Sequence, residues 1–554
     1  MSVFKLRNIA WVLAASAALC LHGQTSPDTY WVPFTDKENT PFSLDQPEQF
    51  LSARAIQRRT TQGIGYDQLD LPVDPAYITA VLNTGEVDLL NQSKWFNGIT
   101  IRTTDLDALS AIQSLGFVNA LQPTGVSMAG QSRQPKFLEL APVLDRDGEP
   151  ELYGTAFRQI EMLNGHQLHA IQAKGQGMLI GVLDSGFLGV DSAIAFQSLR
   201  DRDGIVLTRD LVRHDGDVFD DHYHGRSVLS CMAADLDGVI LGTAPGADYV
   251  LIRTENAESE YPVEEDNWIA GAELADSIGC DVLNTSLGYT TFDDSTMDHT
   301  YAQLDGQTLR ISIAARIAVQ KGMIPVHSAG NSGTSEWRYI GAPADAIDIL
   351  AVGAVGDVEN SAPWSSRGPS ADGRVKPDVC AMGWGSIVLR ENVDSVVAAN
   401  GTSFASPILA GLVACLWQLH PNNTAPEVMT AVRQSASFYT APSDSLGYGV
   451  PDFALAHTIL LATSIRSTTD QGTLHMYPLP FTDQLNIAFR DPVAGPLQLT
   501  LLDLAGRTVW SGSQAPTGNR LQVGGLGEMA EGLYVLQLTD QQGTVLTRSV
   551  IKAR

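Results

Sequence analysis

Residues 400–407 read Asn-Gly-Thr-Ser-Phe-Ala-Ser-Pro and lead directly into the apolar segment 408–419. This run of small residues predicts a tight turn that opens a buried helix, with Ser403 in the first helical turn. The free backbone N–H groups and the positive end of the helix dipole favour a developing negative charge at such a place. Ser403 is therefore a candidate nucleophile, provided that a base and an orienting acid lie elsewhere in the chain.

Candidate partners for Ser403 follow predicted strands or precede a predicted helix. One apolar segment ends in Asp184-Ser185-Gly186, His224-Gly225 precedes a run of small and apolar residues, and a second apolar segment ends in Ala329-Gly330-Asn331. These residues fit an orienting acid, a base and an amide donor to an oxyanion. Taken singly, each also fits a structural role in a turn or a core. Together, Asp, His and Ser stand in one of the three chain orders of known catalytic triads.

The surrounding pattern predicts an α/β fold. Short, continuously apolar segments separated by helical patterns are typical of a parallel sheet covered by helices on both faces. Active sites of such sheets lie at the carboxyl ends of the strands, where these candidates stand. The predicted strands are 178–183, 249–253, 281–286, 323–328 and 349–355, and the predicted helices are 267–278, 309–321 and 403–419.

The two flanks of this region have different patterns. The first flank predicts a small α+β unit followed by an exposed linker at 122–136, and the second predicts a small β-sandwich after a polar linker at 463–472. In the first flank we expect strands at 30–34, 95–102 and 117–121 and helices at 47–59, 74–82 and 105–115. In the second we expect strands at 497–504, 507–512, 532–539 and 544–551.

Composition excludes several classes of function. The chain has 554 residues and a net charge of −27, which argues against nucleic acid and against an anionic membrane surface as partners. Lys5 and Arg7 precede an apolar run too short to span a membrane, so residues 1–23 predict a signal peptide and an exported protein. No later stretch reaches transmembrane length. The cysteine and histidine spacings do not predict a metal active site, and the four cysteines after the leader are interpreted as buried thiols.

Six motifs, in order within residues 150–464, resemble those of the subtilisin-like serine peptidases (subtilases). The resemblance implies a secreted serine endopeptidase that acts through an acyl-enzyme intermediate. Ser403 would attack the peptide carbonyl, His224 would transfer its proton, Asp184 would orient His224, and Asn331 with the Ser403 N–H would form the oxyanion hole. The motifs are Gly181-Val182-Leu183-Asp184-Ser185-Gly186, His224-Gly225, Gly242-Thr243-Ala244-Pro245-Gly246-Ala247, Asn284-Thr285-Ser286-Leu287-Gly288, Ala329-Gly330-Asn331 and Gly401-Thr402-Ser403-Phe404-Ala405-Ser406-Pro407.

The resemblance also implies a substrate-binding surface. Ser286, Leu287 and Gly288 would form an edge strand that pairs with an extended peptide, and Ala329 and Gly330 would frame the pocket. Protein or peptide substrates are therefore expected.

The base motif departs from the family pattern, because Arg226 and Ser227 follow His224-Gly225 where a threonine and a second histidine are usual. We expect this change to affect substrate preference. His222, which lacks a following glycine, is interpreted as a surface residue.

No cofactor is expected for the chemistry, and no metal ligands are assigned. Whether the protein binds structural calcium stays open, because many subtilases bind it. Two acidic stretches, Asp145-Arg146-Asp147-Gly148 and Asp201-Arg202-Asp203-Gly204, lack the remaining ligands of a calcium loop and are interpreted as acidic turns.

Both flanks carry resemblances of their own. The segments 30–37 and 50–59 resemble the propeptides of secreted subtilases of the Bacteroidota. Such propeptides assist folding and inhibit the enzyme until they are cleaved. Tyr477-Pro478-Leu479-Pro480-Phe481 and Gly532-Leu533-Tyr534-Val535-Leu536 resemble the C-terminal sorting domain of the type IX secretion system. We therefore expect a signal peptide (1–23), a propeptide-like domain and linker (24–150), a catalytic domain (151–464) and a sorting domain (472–554). The type IX machinery would carry the protein across the outer membrane, for release or surface attachment.

Two alternatives stay open at this point. A catalytically lapsed subtilase fold could serve as a cell-surface binding or adhesion protein, and Arg226-Ser227 motivates that reading. A dedicated processing peptidase with one narrow substrate would differ from the main hypothesis only in specificity.

Overall fold

The computed structural model describes residues 27–126, 136–137, 140–141, 152–390, 394–464, 474–490, 493, 495–502, 507–540 and 545–553. We call 27–126 the N-terminal unit, 152–464 the central unit and 474–553 the C-terminal unit. The predicted signal peptide, residues 127–135 of the predicted linker and the Asp145–Gly148 stretch lie outside the described residues.

The N-terminal unit is a four-stranded antiparallel sheet with helices, as its α+β pattern predicts. Its strand order is β2-β3-β1-β4, and Val32, Ile99 and Ile101 point into its own small core. Its elements are β1 (Thr29–Pro33), α1 (Ala53–Gln62), α2 (Pro75–Leu82), β2 (Asp88–Ser93), β3 (Gly98–Arg102), α3 (Leu106–Gln113) and β4 (Gln122–Gly125).

The fourth strand of this sheet corrects two predictions. Residues 117–121 do not form the predicted strand, and β4 lies at the start of the predicted linker. β4 is an edge strand that pairs only with β1, and its first two residues are exposed. An edge strand tolerates proline and polar residues, so its sequence lacks the apolar alternation that identifies other strands.

The central unit is built on a seven-stranded parallel sheet, which confirms the predicted fold class. Its strand order is β14-β13-β12-β11-β6-β10-β7. The strands, with the short β5 that precedes the unit, are β5 (Leu140–Ala141), β6 (Leu179–Asp184), β7 (Ile205–Asp210), β8 (Asp235–Leu236), β9 (Ile240–Leu241), β10 (Asp248–Arg253), β11 (Val282–Thr285), β12 (Ile324–Ser328), β13 (Leu350–Val355), β14 (Val379–Met382), β15 (Trp384–Leu389) and β16 (Val396–Asn400).

Helices flank this sheet. α7 and α10 contact each other and the sheet, and α8 and α9 form a second contacting pair. The helices are α4 (Phe157–Glu161), α5 (Gly165–Ala170), α6 (Gln197–Asp201), α7 (His224–Ala233), α8 (Val263–Ile278), α9 (Arg310–Gln320), α10 (Thr402–Leu419), α11 (Ala425–Gln434) and α12 (Phe453–Ser464).

Helix α10 is the core helix that the opening motif predicts. By length and composition it is the one helix among the described residues that could cross a membrane, yet 89% of it is buried inside the protein. It contacts β11, β12, β13 and β14, so its apolar surface is covered by the sheet. The four described cysteines are buried and free, as predicted.

The C-terminal unit consists of two antiparallel sheets packed on a shared apolar core that includes Phe481 and Leu536. Its strands are β17 (Leu474–Tyr477), β18 (Leu485–Phe489), β19 (Leu497–Leu502), β20 (Thr508–Gln514), β21 (Arg520–Val523), β22 (Gly532–Thr539) and β23 (Val545–Lys552). The four predicted strands correspond to β19, β20, β22 and β23, while the shorter β17, β18 and β21 were not predicted.

Candidate active site

Asp184 and His224 meet at the carboxyl end of the central sheet. Asp184 is the last residue of β6, His224 is the first residue of α7, and His224 Nδ1 lies 2.8 Å from Asp184 Oδ1. Asp184 is fully buried and His224 is 3% exposed. Gly225 makes this approach feasible, because a Cβ at that position would lie 2.3 Å from the Gly186 carbonyl oxygen. The predicted acid and base are therefore in contact.

Ser403 lies in the first turn of α10 and at the wall of a cleft. Its Oγ donates a hydrogen bond to the Ser286 carbonyl at 3.2 Å, and Ser286 Oγ donates to the Ser403 carbonyl at 2.7 Å. The ring of the next residue, Phe404, lies 5.9 Å from the ring of His224. The serine and the imidazole are thus placed on neighbouring parts of one site.

Asn331 is oriented by a residue to which the sequence analysis gave no role. Thr402 donates to Asn331 Oδ1 from both its backbone N, at 2.9 Å, and its hydroxyl, at 3.0 Å. The Thr402 hydroxyl also accepts a hydrogen bond from Gly330 N at 3.1 Å. Because two donors hold the amide oxygen, the Asn331 NH₂ group is left to donate elsewhere.

A cleft of about 550 Å³ joins Ser403 and Asn331 to the predicted substrate-binding residues Ser286, Leu287, Gly288 and Gly330. Ala329 lies behind this cleft, where it is fully buried in a small cluster with Ile340, Ala344 and Ala351. Its side chain is not among those that line the cleft, so any contact with substrate would come from its backbone.

Two residues that precede the central unit also line the cleft. The ring of Phe137 lies 4.1 Å from the ring of His224, and the Lys136 side chain is only 5% exposed. The prediction of an exposed linker is therefore wrong at Lys136. This placement depends on contacts with residues more than a hundred positions away, which local sequence patterns do not reveal.

His222 corrects a second prediction, because it is partly buried rather than on the surface. Its ring lies 4.7 Å from that of Phe137, and its Nδ1 lies 3.1 Å from the Ser185 hydroxyl. Burial, followed by the nearby His224, lowers the pKa of His222 to about 4. A neutral His222 therefore stands beside the candidate base at neutral pH.

Arg226 and Ser227 lie outside the cleft. Arg226 is 3% exposed and donates to the carbonyls of Leu188 and Gly189, at 3.3 and 3.4 Å. The Ser227 hydroxyl donates to the carbonyl of Leu389 at 2.9 Å. Neither residue lines the cleft, so the structure gives no support to the expectation that they set substrate preference. Their contacts instead join α7 to neighbouring loops.

The N-terminal unit sits on helix α8 through buried charges. Asp276 forms ion pairs with Arg58, Arg59 and Lys94, at 2.5, 2.8 and 3.2 Å. Burial acts to raise the pKa of Asp276, but these three cations together hold it well below its usual value. One turn earlier in α8, Glu273 accepts hydrogen bonds from the backbone N atoms of Lys94 and Trp95, at 2.7 and 3.1 Å.

One group of carboxylates in the described chain is close enough to hold a cation. Glu255, Glu260 and Glu264 approach one another within 4.8 Å, and the ammonium group of Lys136 lies among them. Burial and then Glu255 raise the pKa of Glu260 to about 8. In the Asp201-Arg202-Asp203-Gly204 stretch, Asp201 is the last residue of α6 and accepts from Gln197 at 2.6 Å, and the other three residues form the turn that follows.

Three family models match the chain. Residues 175–449 match the Subtilase family, and residues 29–137 match the Peptidase S8 propeptide domain of the Bacteroidota. Residues 475–552 match the Secretion system C-terminal sorting domain. The three matches follow the three units of the structure in order.

Individual relatives match the central region. Subtilisin DY of Bacillus licheniformis is 29% identical over 293 residues, which is 52% of this chain and 93% of that protein. Subtilisin E of Bacillus subtilis is 28% identical over 284 residues, which is 50% of this chain and 65% of that protein. Among solved structures, MycP1 from the ESX-1 type VII secretion system has a TM-score of 0.44 and 19% identity, and the match covers 60% of this chain and 92% of that one.

Proposed function

Because this chain is a serine endopeptidase of the subtilase family, with a Bacteroidota propeptide domain and a secretion sorting domain, we propose that Asp184, His224 and Ser403 form its catalytic triad. The observation that carries the proposal is the 2.8 Å contact between His224 Nδ1 and Asp184 Oδ1, beside the cleft that contains Ser403. A buried carboxylate in this position fixes the tautomer of the imidazole and leaves its other nitrogen free to accept a proton.

In the proposed reaction, Ser403 Oγ gives up its hydrogen bond to the Ser286 carbonyl and donates one to His224 Nε2 instead. It then attacks the substrate carbonyl. His224 takes the Ser403 proton and then passes it to the leaving amine. Water next enters, gives a proton to His224 and attacks the acyl carbonyl, and His224 returns that proton to Ser403 Oγ as the acyl bond breaks. Asp184 keeps its contact with His224 Nδ1 and stabilises the imidazolium in both steps. Every catalytic side chain in this sequence belongs to the chain itself.

Asn331 is proposed as an oxyanion donor together with the backbone N–H of Ser403. We expect Asn331→Ala to lower kcat by about 10²–10³-fold with little change in KM, because the amide donates mainly to the charge that forms in the transition state. Steady-state hydrolysis of a chromogenic peptide by the mature enzyme measures both constants. A rise in KM at unchanged kcat would contradict this role and assign Asn331 to ground-state binding.

The flanking units are proposed to control when and where the enzyme acts. The N-terminal unit covers α8, and Lys136 and Phe137, which follow it in the chain, line the cleft, so the uncleaved chain blocks its own active site. The sorting domain marks the chain for type IX secretion in the Bacteroidota. We propose that the protein crosses the outer membrane as a zymogen and acts on proteins or peptides outside the cell.

A fluorophosphonate probe tests the triad directly. After removal of the N-terminal unit, we expect one adduct, located on Ser403 by peptide mass spectrometry, because an activated serine is the group such probes modify. An adduct on another residue would contradict the assignment. A folded protein that is free of the N-terminal unit and is not labelled would instead favour a catalytically lapsed binding protein.

A further inference from the structure

The side chain of Lys136 fills a pocket whose walls are carboxylates. Its Nζ lies 3.0 Å from both carboxylate oxygens of Glu264 and 3.1 Å from Glu260, and it also contacts Glu255. The Asn256 carbonyl accepts a further hydrogen bond from Nζ at 2.7 Å. We call Glu255, Glu260, Glu264 and the Asn256 carbonyl the lysine pocket. The ammonium group is therefore surrounded by acceptors and shielded from water.

The lysine pocket opens into the active-site cleft. Glu255 and Glu260 line the cleft that also contains Asn331 and Ser403. Phe137, the residue after Lys136, packs on the His224 ring. Lys136 therefore lies in the cleft in which we propose that substrate binds.

The direction of the chain shows on which side of the cleaved bond Lys136 stands. After Phe137, the chain reaches Leu140, which pairs with Ala399, four residues before Ser403. Phe137 lies beside His224, and the next described residues, Leu140 and Ala141, pair with the strand that leads into α10. A bond cut between Phe137 and Leu140 leaves Lys136 on the acyl side, in the part of the substrate that becomes attached to Ser403.

Residues of the central unit position the pocket carboxylates. Glu264 lies in the first turn of α8 and accepts from the backbone N atoms of Asn256 and Tyr261, at 2.9 and 3.2 Å. The Tyr289 hydroxyl donates to Glu255 at 2.7 Å. None of these supports comes from the N-terminal unit, so the pocket is expected to keep its shape after that unit leaves. It then presents carboxylates whose lysine partner has departed.

We propose that the lysine pocket is a specificity subsite through which the mature enzyme selects substrates with lysine on the acyl side of the cleaved bond. The inference rests on the proposed peptidase function and adds the class of substrate. Lysine fits this chemistry because its compact ammonium group has three N–H donors, which several carboxylates can share. Lys136 is then the first residue to occupy this subsite, when the chain cleaves itself.

The test compares two internally quenched peptides that cover residues 132–143 of this sequence, one unchanged and one with Lys136→Met. For the mature wild-type enzyme, we expect kcat/KM to be about 30-fold or more higher for the lysine peptide, because the methionine leaves the desolvated carboxylates unpaired. We expect Glu264→Gln and Glu260→Gln each to reduce this ratio, and the double variant to bring it within a few-fold of one. Glu258→Gln is the matched control, because Glu258 is an exposed carboxylate in the same loop that does not contact Lys136.

The outcomes of this test distinguish a failure of the lysine subsite from a failure of the proposed triad. A labelled, active enzyme that cleaves both peptides equally would overturn the lysine subsite and leave the triad standing. A ratio that survives the double variant would also overturn it. Calcium is the competing occupant: if Ca²⁺ raises the melting temperature of the mature wild type but not of Glu264→Gln, and the peptide ratio is near one, the pocket is a metal site. If the wild type shows neither probe labelling nor cleavage, the proposed peptidase function itself fails.

Discussion

Ser403→Ala is expected to leave the chain joined across residues 137–140 and without peptidase activity. In the wild type, we expect autocleavage to give a mature N-terminus between Phe137 and Leu140, because Phe137 packs on His224 and Leu140 pairs with the strand that leads to Ser403. Without the Ser403 hydroxyl no acyl-enzyme can form, so turnover should fall on the order of 10⁶-fold. Intact-mass spectrometry of the secreted protein and casein hydrolysis measure the two effects.

A matched variant separates chemistry from folding in this experiment. Ser406→Ala removes a hydroxyl on the same helix that donates to Asn284 at 2.8 Å and does not line the cleft. We expect this variant to mature and to hydrolyse casein, at some cost in stability. If Ser403→Ala yielded the same new N-terminus and full casein hydrolysis, another nucleophile would have to be sought.

Asp276→Ala is expected to make the cleaved N-terminal unit dissociate from the enzyme faster than in the wild type. Removing this carboxylate leaves Arg58 and Arg59 buried against α8 without their shared partner. Breaking a buried ion pair from one side costs about 3–5 kcal/mol. The affinity of the cleaved N-terminal unit should therefore fall by a hundred-fold to several thousand-fold, as about 1.4 kcal/mol corresponds to ten-fold.

The time course of activity after cleavage measures this loss. In the wild type, we expect a lag between cleavage and peptide hydrolysis, set by dissociation of the N-terminal unit, and in Asp276→Ala little or no lag. The kcat/KM of the mature enzyme should be unchanged, since Asp276 lies on the surface that the unit covers. Asp248→Ala is the control, because its ion pair with Arg202 is partly exposed and long, at 3.6 Å. Equal lags in all three proteins would show that Asp276 does not hold the unit.

The parts of this molecule that were predictable from sequence are those encoded by short-range patterns. Small residues next to apolar runs predict the turn before α10 and the strand that ends at Asp184, because a buried turn needs compact side chains. The edge strands β4 and β7 escaped prediction, because a strand with one exposed side needs less apolar character.

The buried ion pairs at α8 and at Lys136 were not predictable from short-range patterns. Arg58 and Arg59 end the helix predicted at 47–59, but their burial against Asp276 depends on a partner more than two hundred positions away. Lys136 likewise reads as a linker residue until the fold brings Glu264 beside it. Charges of this kind look solvent-exposed in sequence, since burial of an ion pair is a property of the assembled interface.

Both ends of helix α8 bind residues that precede the central unit. Glu264 near its start binds Lys136, and Asp276 near its end binds Arg58 and Arg59 of the N-terminal unit. The two attachments therefore act together as a chelating ligand, because residues 60–135 tie Arg59 covalently to Lys136. Linked attachments of this sort commonly bind about 10²–10⁴-fold more tightly than either alone. A second cut within 127–135 would separate the two attachments and remove this gain in affinity. We therefore expect a mature molecule that makes this cut in other molecules to accelerate their activation.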